Sequence, residues 1–168
     1  MEFKRTAELD DTSASVYHNL GAAHYALGDQ VSAEYFWRKA IEYEERTGIS
    51  KADAAMAAVG RSDLKHLLKV TQRPVSFLSY QSLGRLYLEQ RLPERAIDQF
   101  KRAIEIVPRD ARINLDMAKA LLEKGQDDEA ADYLEKYFSF GGQNEGEAKT
   151  LSERLKRSPQ TKSGPGGY

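Results

Sequence analysis

Apolar residues recur along this chain at the spacing of helices rather than strands. Over residues 14–27, Val16, Tyr17, Leu20, Ala23, His24 and Leu27 mark one helical face, and Gly28-Asp29 closes the run. Ala33, Phe36, Trp37, Ala40 and Ile41 mark a second helix over 31–46. The same pair is predicted at 77–90 and 94–107, turned by Arg91-Leu92-Pro93 and ended by Pro108. A third pair is predicted at 111–124 and 127–139, with Gly125 at its turn. Residues 144–157 predict one further amphipathic helix. Ala148, Leu151, Ser152 and Leu155 line its inner face and charges cover the rest, as a helix that caps a stack requires.

These pairs are copies of one unit. Tyr17, Leu20, Gly21, Ala33, Trp37, Ala40 and Ile41 recur at one constant offset as Tyr80, Leu83, Gly84, Ala96, Phe100, Ala103 and Ile104. One repeat further on, the slots hold Asn114, Met117, Ala118, Ala130, Leu134, Tyr137 and Phe138. A period of about 34 predicts stacked helical hairpins, an all-α architecture with repeats at 14–47, 77–110 and 111–142 and a capping helix at 144–157. Residues 158–168 lack apolar periodicity and are expected to be a disordered tail.

Two stretches leave alternatives. Phe3 lies one such period before Trp37, and residues 3–11 match 100–110, so 3–13 reads as a half-repeat whose first helix is missing or as a short helix over the stack end. The first reading makes the chain an expected piece of a larger protein. In 48–76, Ser50 is placed to cap a short helix through Ala52, Ala55, Met56 and Val59, with Leu64, Leu67, Leu68 and Val70 on the return. Pro74 falls one period before Pro108. The segment reads as a degenerate hairpin filling one repeat's place, the alternative being a linker that bulges from the stack.

Glycine inside a helix costs about 1 kcal/mol relative to alanine. Gly21 and Gly84 therefore predict close helix–helix approach, met by Ala33 and Ala96, with Trp37 and Phe100 filling the space between hairpins. Tyr17, Tyr80, Trp37 and Phe100 are expected in the core, with no ligand role.

Composition narrows the function classes. Charged residues make up 30% of the 168, yet the net charge is −1, so no strong field draws nucleic acid or anionic lipid. Without cysteine there is no disulfide or thiolate ligand. No apolar run approaches the roughly 20 residues of a membrane helix, and the first residues lack a leader's apolar run, so a cytoplasmic location is expected. His18, His24 and His66 are scattered, and no cofactor, metal or catalytic motif is present; a protein without cofactor or catalytic activity is expected. His24 reads as a hydrogen-bonded packing residue. The acidic runs Glu42-Glu44-Glu45 and Asp127-Asp128-Glu129 read as solvated surface and a helix start.

The repeated residues resemble the tetratricopeptide repeat (TPR) family. Tyr80, Leu83-Gly84, Tyr87, Ala96, Phe100, Ala103 and Pro108 follow its signature; the first repeat departs at His24 and Glu45, and the third at Asn114, Met117 and Tyr137. The resemblance implies a right-handed superhelical stack of antiparallel helix pairs, an α-solenoid whose first helices line a concave groove. Ser15, His18, Ala22 and Tyr25 would face that groove, followed by Leu78, Gln81, Arg85 and Leu88, then Arg112, Leu115, Lys119 and Leu122. Of these, His18, Tyr25, Gln81, Arg85, Leu88, Arg112, Leu115, Lys119 and Leu122 are the candidate peptide-binding residues. An apolar floor with cationic points at Arg85, Arg112 and Lys119 suits a protein or peptide ligand with apolar anchors and acidic groups. The family's clamp for C-terminal carboxylates is not matched, since His18 and Ala22 stand in place of its Lys and Asn and Asp116 in place of an Arg. The expected role is a non-enzymatic adaptor for complex assembly or recruitment. Alternatives are a homo-oligomeric scaffold paired through the N-terminal half-repeat and a small chaperone for a secretion or assembly client.

Overall fold

A computed structural model describes residues 13–58, 74–144 and 146–157, with 48–58 described as backbone alone. The half-repeat expected at 3–13, the returning run of apolar residues at 59–73 and the tail at 158–168 lie outside the described residues, apart from Ser13. Seven helices make up the described part: α1 (Ala14–Ala26), α2 (Gln30–Ala58), α3 (Val75–Glu89), α4 (Pro93–Ile106), α5 (Ala111–Lys124), α6 (Asp127–Ser139) and α7 (Gly146–Arg157). The pairs α1–α2, α3–α4 and α5–α6 are hairpins, and each second helix packs on the first helix of the next pair. The result is an all-α helical solenoid closed at one end by α7.

Each hairpin turns on the same backbone device. Gly28, Arg91 and Gly125 occupy equivalent positions and all take positive φ, at 79°, 59° and 80°. At each, the amide of this residue and that of the next bond back to the helix's last turn, as Gly28 N to Tyr25 O at 2.9 Å and Asp29 N to His24 O at 2.9 Å. Arg91 alone of the three carries a side chain in this left-handed region, where glycine is unstrained.

The helical glycines mark close packing inside each hairpin. A Cβ on Gly21 would lie 2.5 Å from the Trp37 ring, and one on Gly84 closer still to the ring of Phe100. Trp37 and Phe100 are buried, as are Ala33 and Ala96 beside them. The Trp37 indole N–H donates to the His18 carbonyl at 3.2 Å, so the large ring also ties α2 to α1. The larger of two buried clusters among the described residues runs from Trp37 and Ile41 through Phe77, Leu83, Tyr87 and Phe100 to Ile113, Met117 and Leu121; the smaller joins Ala118, Leu134 and Ala148.

Two expectations need correction. The second helix does not stop near residue 46. It runs unbroken to Ala58, because Gly48 is its only glycine, an alanine-rich stretch follows, and no proline intervenes. Nor does a hairpin stand between the first two repeats. Helix α2 packs directly on α3, and the Tyr87 hydroxyl donates to Glu34 at 2.6 Å and accepts from Arg38 Nη2 at 2.7 Å. The first and second hairpins are thus direct neighbours.

The acidic residues in the middle of α2 are likewise not mere solvated surface. Glu44 accepts from the backbone amides of Val75, at 3.1 Å, and Ser76, supplying α3 with the N-terminal partner its sequence lacks. Glu45 accepts from the Tyr80 hydroxyl at 3.0 Å.

Candidate peptide groove

Helices α3 and α5 share one face, and α7 folds across its end. Between them lies a groove of about 560 Å³ lined by Arg85, Leu88 and Glu89 of α3, Arg112, Leu115, Asp116 and Lys119 of α5, Tyr137 of α6 and Glu147 of α7. Helical geometry puts Arg85, Leu88 and Glu89 within about one turn, and likewise Arg112, Leu115, Asp116 and Lys119 along successive turns, so side chains three or four apart in sequence reach one opening.

Asp116 organises the charges. It is 2% exposed, and its Oδ2 accepts from Gln81 Nε2 at 2.9 Å, Arg85 Nε at 2.9 Å and Arg85 Nη2 at 2.7 Å. A buried carboxylate needs such partners, because desolvation of an unpaired charge is costly. The Arg85 guanidinium is therefore held in one orientation while its side chain stays 43% exposed. Lys119 binds Glu147 of α7 and lies 3.9 Å from Asp116 Oδ1. Its ammonium holds the Glu147 carboxyl below the usual carboxylate range, helped by Arg85 and Arg112. Arg112 is exposed and makes no ion pair among the described residues.

Five of the nine candidates line the groove: Arg85, Leu88, Arg112, Leu115 and Lys119. Gln81 sits beneath it, buried against Asp116. Tyr25 borders it through a hydroxyl that donates to Glu89, with its ring 5.7 Å from that of Trp37. His18 lies apart, half-buried between α1 and α3 with Nδ1 3.0 Å from the Ser79 hydroxyl, and burial lowers its pKa from 6.5.

Leu122 does not face the groove. It is 2% exposed and belongs to the core, where Leu151 and Leu155 of α7 pack; Arg154 Nη2 of α7 lies 3.5 Å from its carbonyl. The equivalent Leu88 is only half-buried.

The groove is also less cationic than its first-helix stripe suggested. Glu89, Asp116 and Glu147 balance Arg85, Arg112 and Lys119. Asp116 stands directly after Leu115, and Glu89 directly after Leu88, so each was one position from the stripe. Tyr137 and Glu147 come from elements outside the first helices, with no periodic signal to bring them there. Among the described residues, no group of three histidine or acidic side chains lies close enough to hold a metal ion. Nor is any described helix long and apolar enough to cross a membrane.

Two tetratricopeptide repeat family models match the chain, one over residues 13–47 and the other over 87–155. No curated protein matches it. Among solved structures, MamA is similar with a TM-score of 0.60 and 23% identity, over 82% of this chain and 60% of that one. A second MamA structure gives a TM-score of 0.61 at the same identity, again over 82% of this chain and over 64% of its own. A chain of the APC/C hetero-tetramer Cut9–Hcn1 gives 0.64 and 18%, over 91% of this chain but 25% of its own. The chain thus spans less than two thirds of the length of each of these proteins. At these identities the likeness is one of fold.

Proposed function

Because the chain belongs to the tetratricopeptide repeat family, we propose that it is a non-enzymatic adaptor that receives a segment of a partner protein in the groove between α3, α5 and α7. The observation that carries this reading is the pairing of fixed and free charge over an apolar floor. Asp116 holds Arg85 in place, Arg112 makes no ion pair among the described residues, and Leu88, Leu115 and the Tyr137 ring supply contact area. A preorganised cation loses little freedom on binding, and an apolar pocket beside it adds affinity that charge alone does not give. The fitting ligand is a peptide with an apolar side chain for Leu88 and Leu115 and an acidic group for Arg112. Balanced charge in the groove disfavours a purely acidic stretch and rewards the mixed one.

Selection from a phage-displayed library of random dodecapeptides tests this. The variant Arg112→Glu/Leu115→Asp, altered only at groove side chains, serves for counterselection. Enriched peptides are expected to carry an acidic residue near an apolar one and to bind the variant at least tenfold more weakly. Peptides that bind both proteins equally would place recognition elsewhere.

A further inference from the structure

Resting on the groove function proposed above, we propose that Glu147 is an internal stand-in for the acidic group of the ligand. It occupies Lys119 in the free protein and gives way when a ligand carboxylate enters.

Arg85 and Lys119 stand at equivalent positions of α3 and α5, one repeat apart, and each meets a carboxylate from the next first-helix position of the stack. The two carboxylates differ in kind. Asp116 is buried and accepts from Gln81 Nε2 and from Nε and Nη2 of Arg85. Its removal would orphan buried donors, so it is a fixed part of the groove. Glu147 is 72% exposed, and among the described residues its carboxylate bonds to Lys119 alone. One period after Asp116, α7 carries Thr150, whose hydroxyl bonds to the Gly146 carbonyl of its own helix at 3.2 Å. Helix α7 thus has no counterpart of Asp116 and reaches Lys119 from about one turn earlier.

Glu147 is not what seats α7. Ala148 is buried with Ala118 and Leu134, Leu151 and Leu155 pack beside them, and Arg154 Nη2 reaches the Leu122 carbonyl at 3.5 Å. An exposed ion pair adds little to such an anchorage. Its consequence lies in the groove. Lys119 is 25% exposed, and the nearest other carboxylate oxygen, Asp116 Oδ1, lies 3.9 Å away, beyond hydrogen-bond distance. Arg85 and Arg112 also stabilise the Glu147 carboxylate, so three cations from two helices act on one acid of the chain's own. This corner recognises a carboxylate, and a ligand that brings one finds the place filled. Entry breaks the Lys119–Glu147 pair and makes a similar one, so the charge selects acidic ligands while Leu88 and Leu115 supply most of the net affinity.

Titration of the ¹⁵N-labelled full chain with N-acetyl-Glu-Leu-amide, read at the Lys119 amide, tests the proposal, with N-acetyl-Gln-Leu-amide as the neutral control. Over about 0.1 to about 30 mM, Glu147→Gln is expected to bind the acidic dipeptide about threefold more tightly than the wild type, and the neutral one no better. Loss of a negative charge also favours an anion through the general field. Lys119→Met, alone and combined with Glu147→Gln, separates the two effects: displacement predicts that the gain vanishes without Lys119, whereas a field effect persists. Equal binding of the acidic dipeptide by wild type and Glu147→Gln would overturn the proposal. So would a gain shared by the neutral dipeptide, a gain that survives Lys119→Met, or no binding by Glu147→Gln at all. The groove reading is judged separately, by whether display-selected peptides distinguish the Arg112→Glu/Leu115→Asp variant.

Discussion

The Arg85 guanidinium lies across the Asp116 carboxylate, with Nε at 2.9 Å and Nη2 at 2.7 Å from the same oxygen. Arg85 belongs to the second hairpin and Asp116 to the third, so this pair both joins adjacent repeats and fixes the most constrained cation of the groove. Replacing Asp116 with alanine leaves Gln81 Nε2 without this buried acceptor and frees Arg85. Because Arg85 can turn to water, the expected loss is about 2 kcal/mol rather than the larger cost of a fully buried orphan charge. Urea denaturation measures it, and a loss within error of zero would contradict the role given to Asp116.

Gly84→Ala sets helix propensity against packing. Alanine gains about 1 kcal/mol in an unconstrained helix. Here its methyl group would enter the space of the fully buried Phe100 ring, which has no room to retreat. Overpacking of this kind costs about 1–3 kcal/mol, so a net destabilisation of up to about 2 kcal/mol is expected in thermal or urea unfolding. A more stable variant would mean that the hairpin is looser than its geometry.

Arg91→Gly should do the opposite. Residue 91 holds φ at 59°, while its counterparts Gly28 and Gly125 are glycines. Relief of left-handed strain, about 1 kcal/mol or slightly more, exceeds the entropic cost of glycine in the unfolded chain by a small margin. The ion pair lost, Arg91 with Glu123 at 3.5 Å, is 82% exposed on the arginine side and contributes little. A gain of up to about 0.5 kcal/mol is expected in urea melts, and Gly125→Ala, in the same conformation, should lose about 1 kcal/mol.

His18 gives the stack a pH dependence. Burial favours its neutral ring and lowers its pKa from 6.5, so the unfolded chain binds this proton more readily than the folded one. Well above 6.5 both states are neutral here and the residue adds no slope. As pH falls below 6.5 through the lowered value, stability falls with it. His18→Gln, which keeps a polar group beside Ser79, should flatten this part of the profile in urea melts between about pH 7.5 and about pH 5. Equal slopes for both proteins would remove His18 from the account.

What the sequence disclosed follows from how the information is written. Close approach at Gly21 and Gly84 was legible in the repeat, but Ala33 and Ala96 were expected to meet them, whereas the rings of Trp37 and Phe100 do so inside each hairpin. The stripe Arg85, Leu88, Arg112, Leu115 and Lys119 was readable for the same reason, since successive first helices must present equivalent faces. The Asp116 pairing is not periodic: it joins one repeat to the next through Arg85 and Gln81, and the first hairpin has no arginine or glutamine at the equivalent positions, Ala22 and His18. Leu122 was misplaced because it shares its phase with the half-buried Leu88, so the pattern gave no sign that it is buried in the core. For 48–76 the phase of Pro74 favoured a hairpin in the stack over a linker, and no sequence signal announced that Tyr87 reaches Glu34 directly, so that the first two full hairpins adjoin.

The most direct test of the groove is a backbone amide chemical-shift map of the ¹⁵N-labelled protein titrated with the leading peptide from the display selection. The account predicts shifts concentrated on Arg85, Leu88, Arg112, Leu115 and Lys119, with the exposed Leu27, Val31 and Tyr35 of the first hairpin unmoved. Shifts confined to Leu27, Val31 and Tyr35, or spread over the outer faces of α4 and α6, would contradict it.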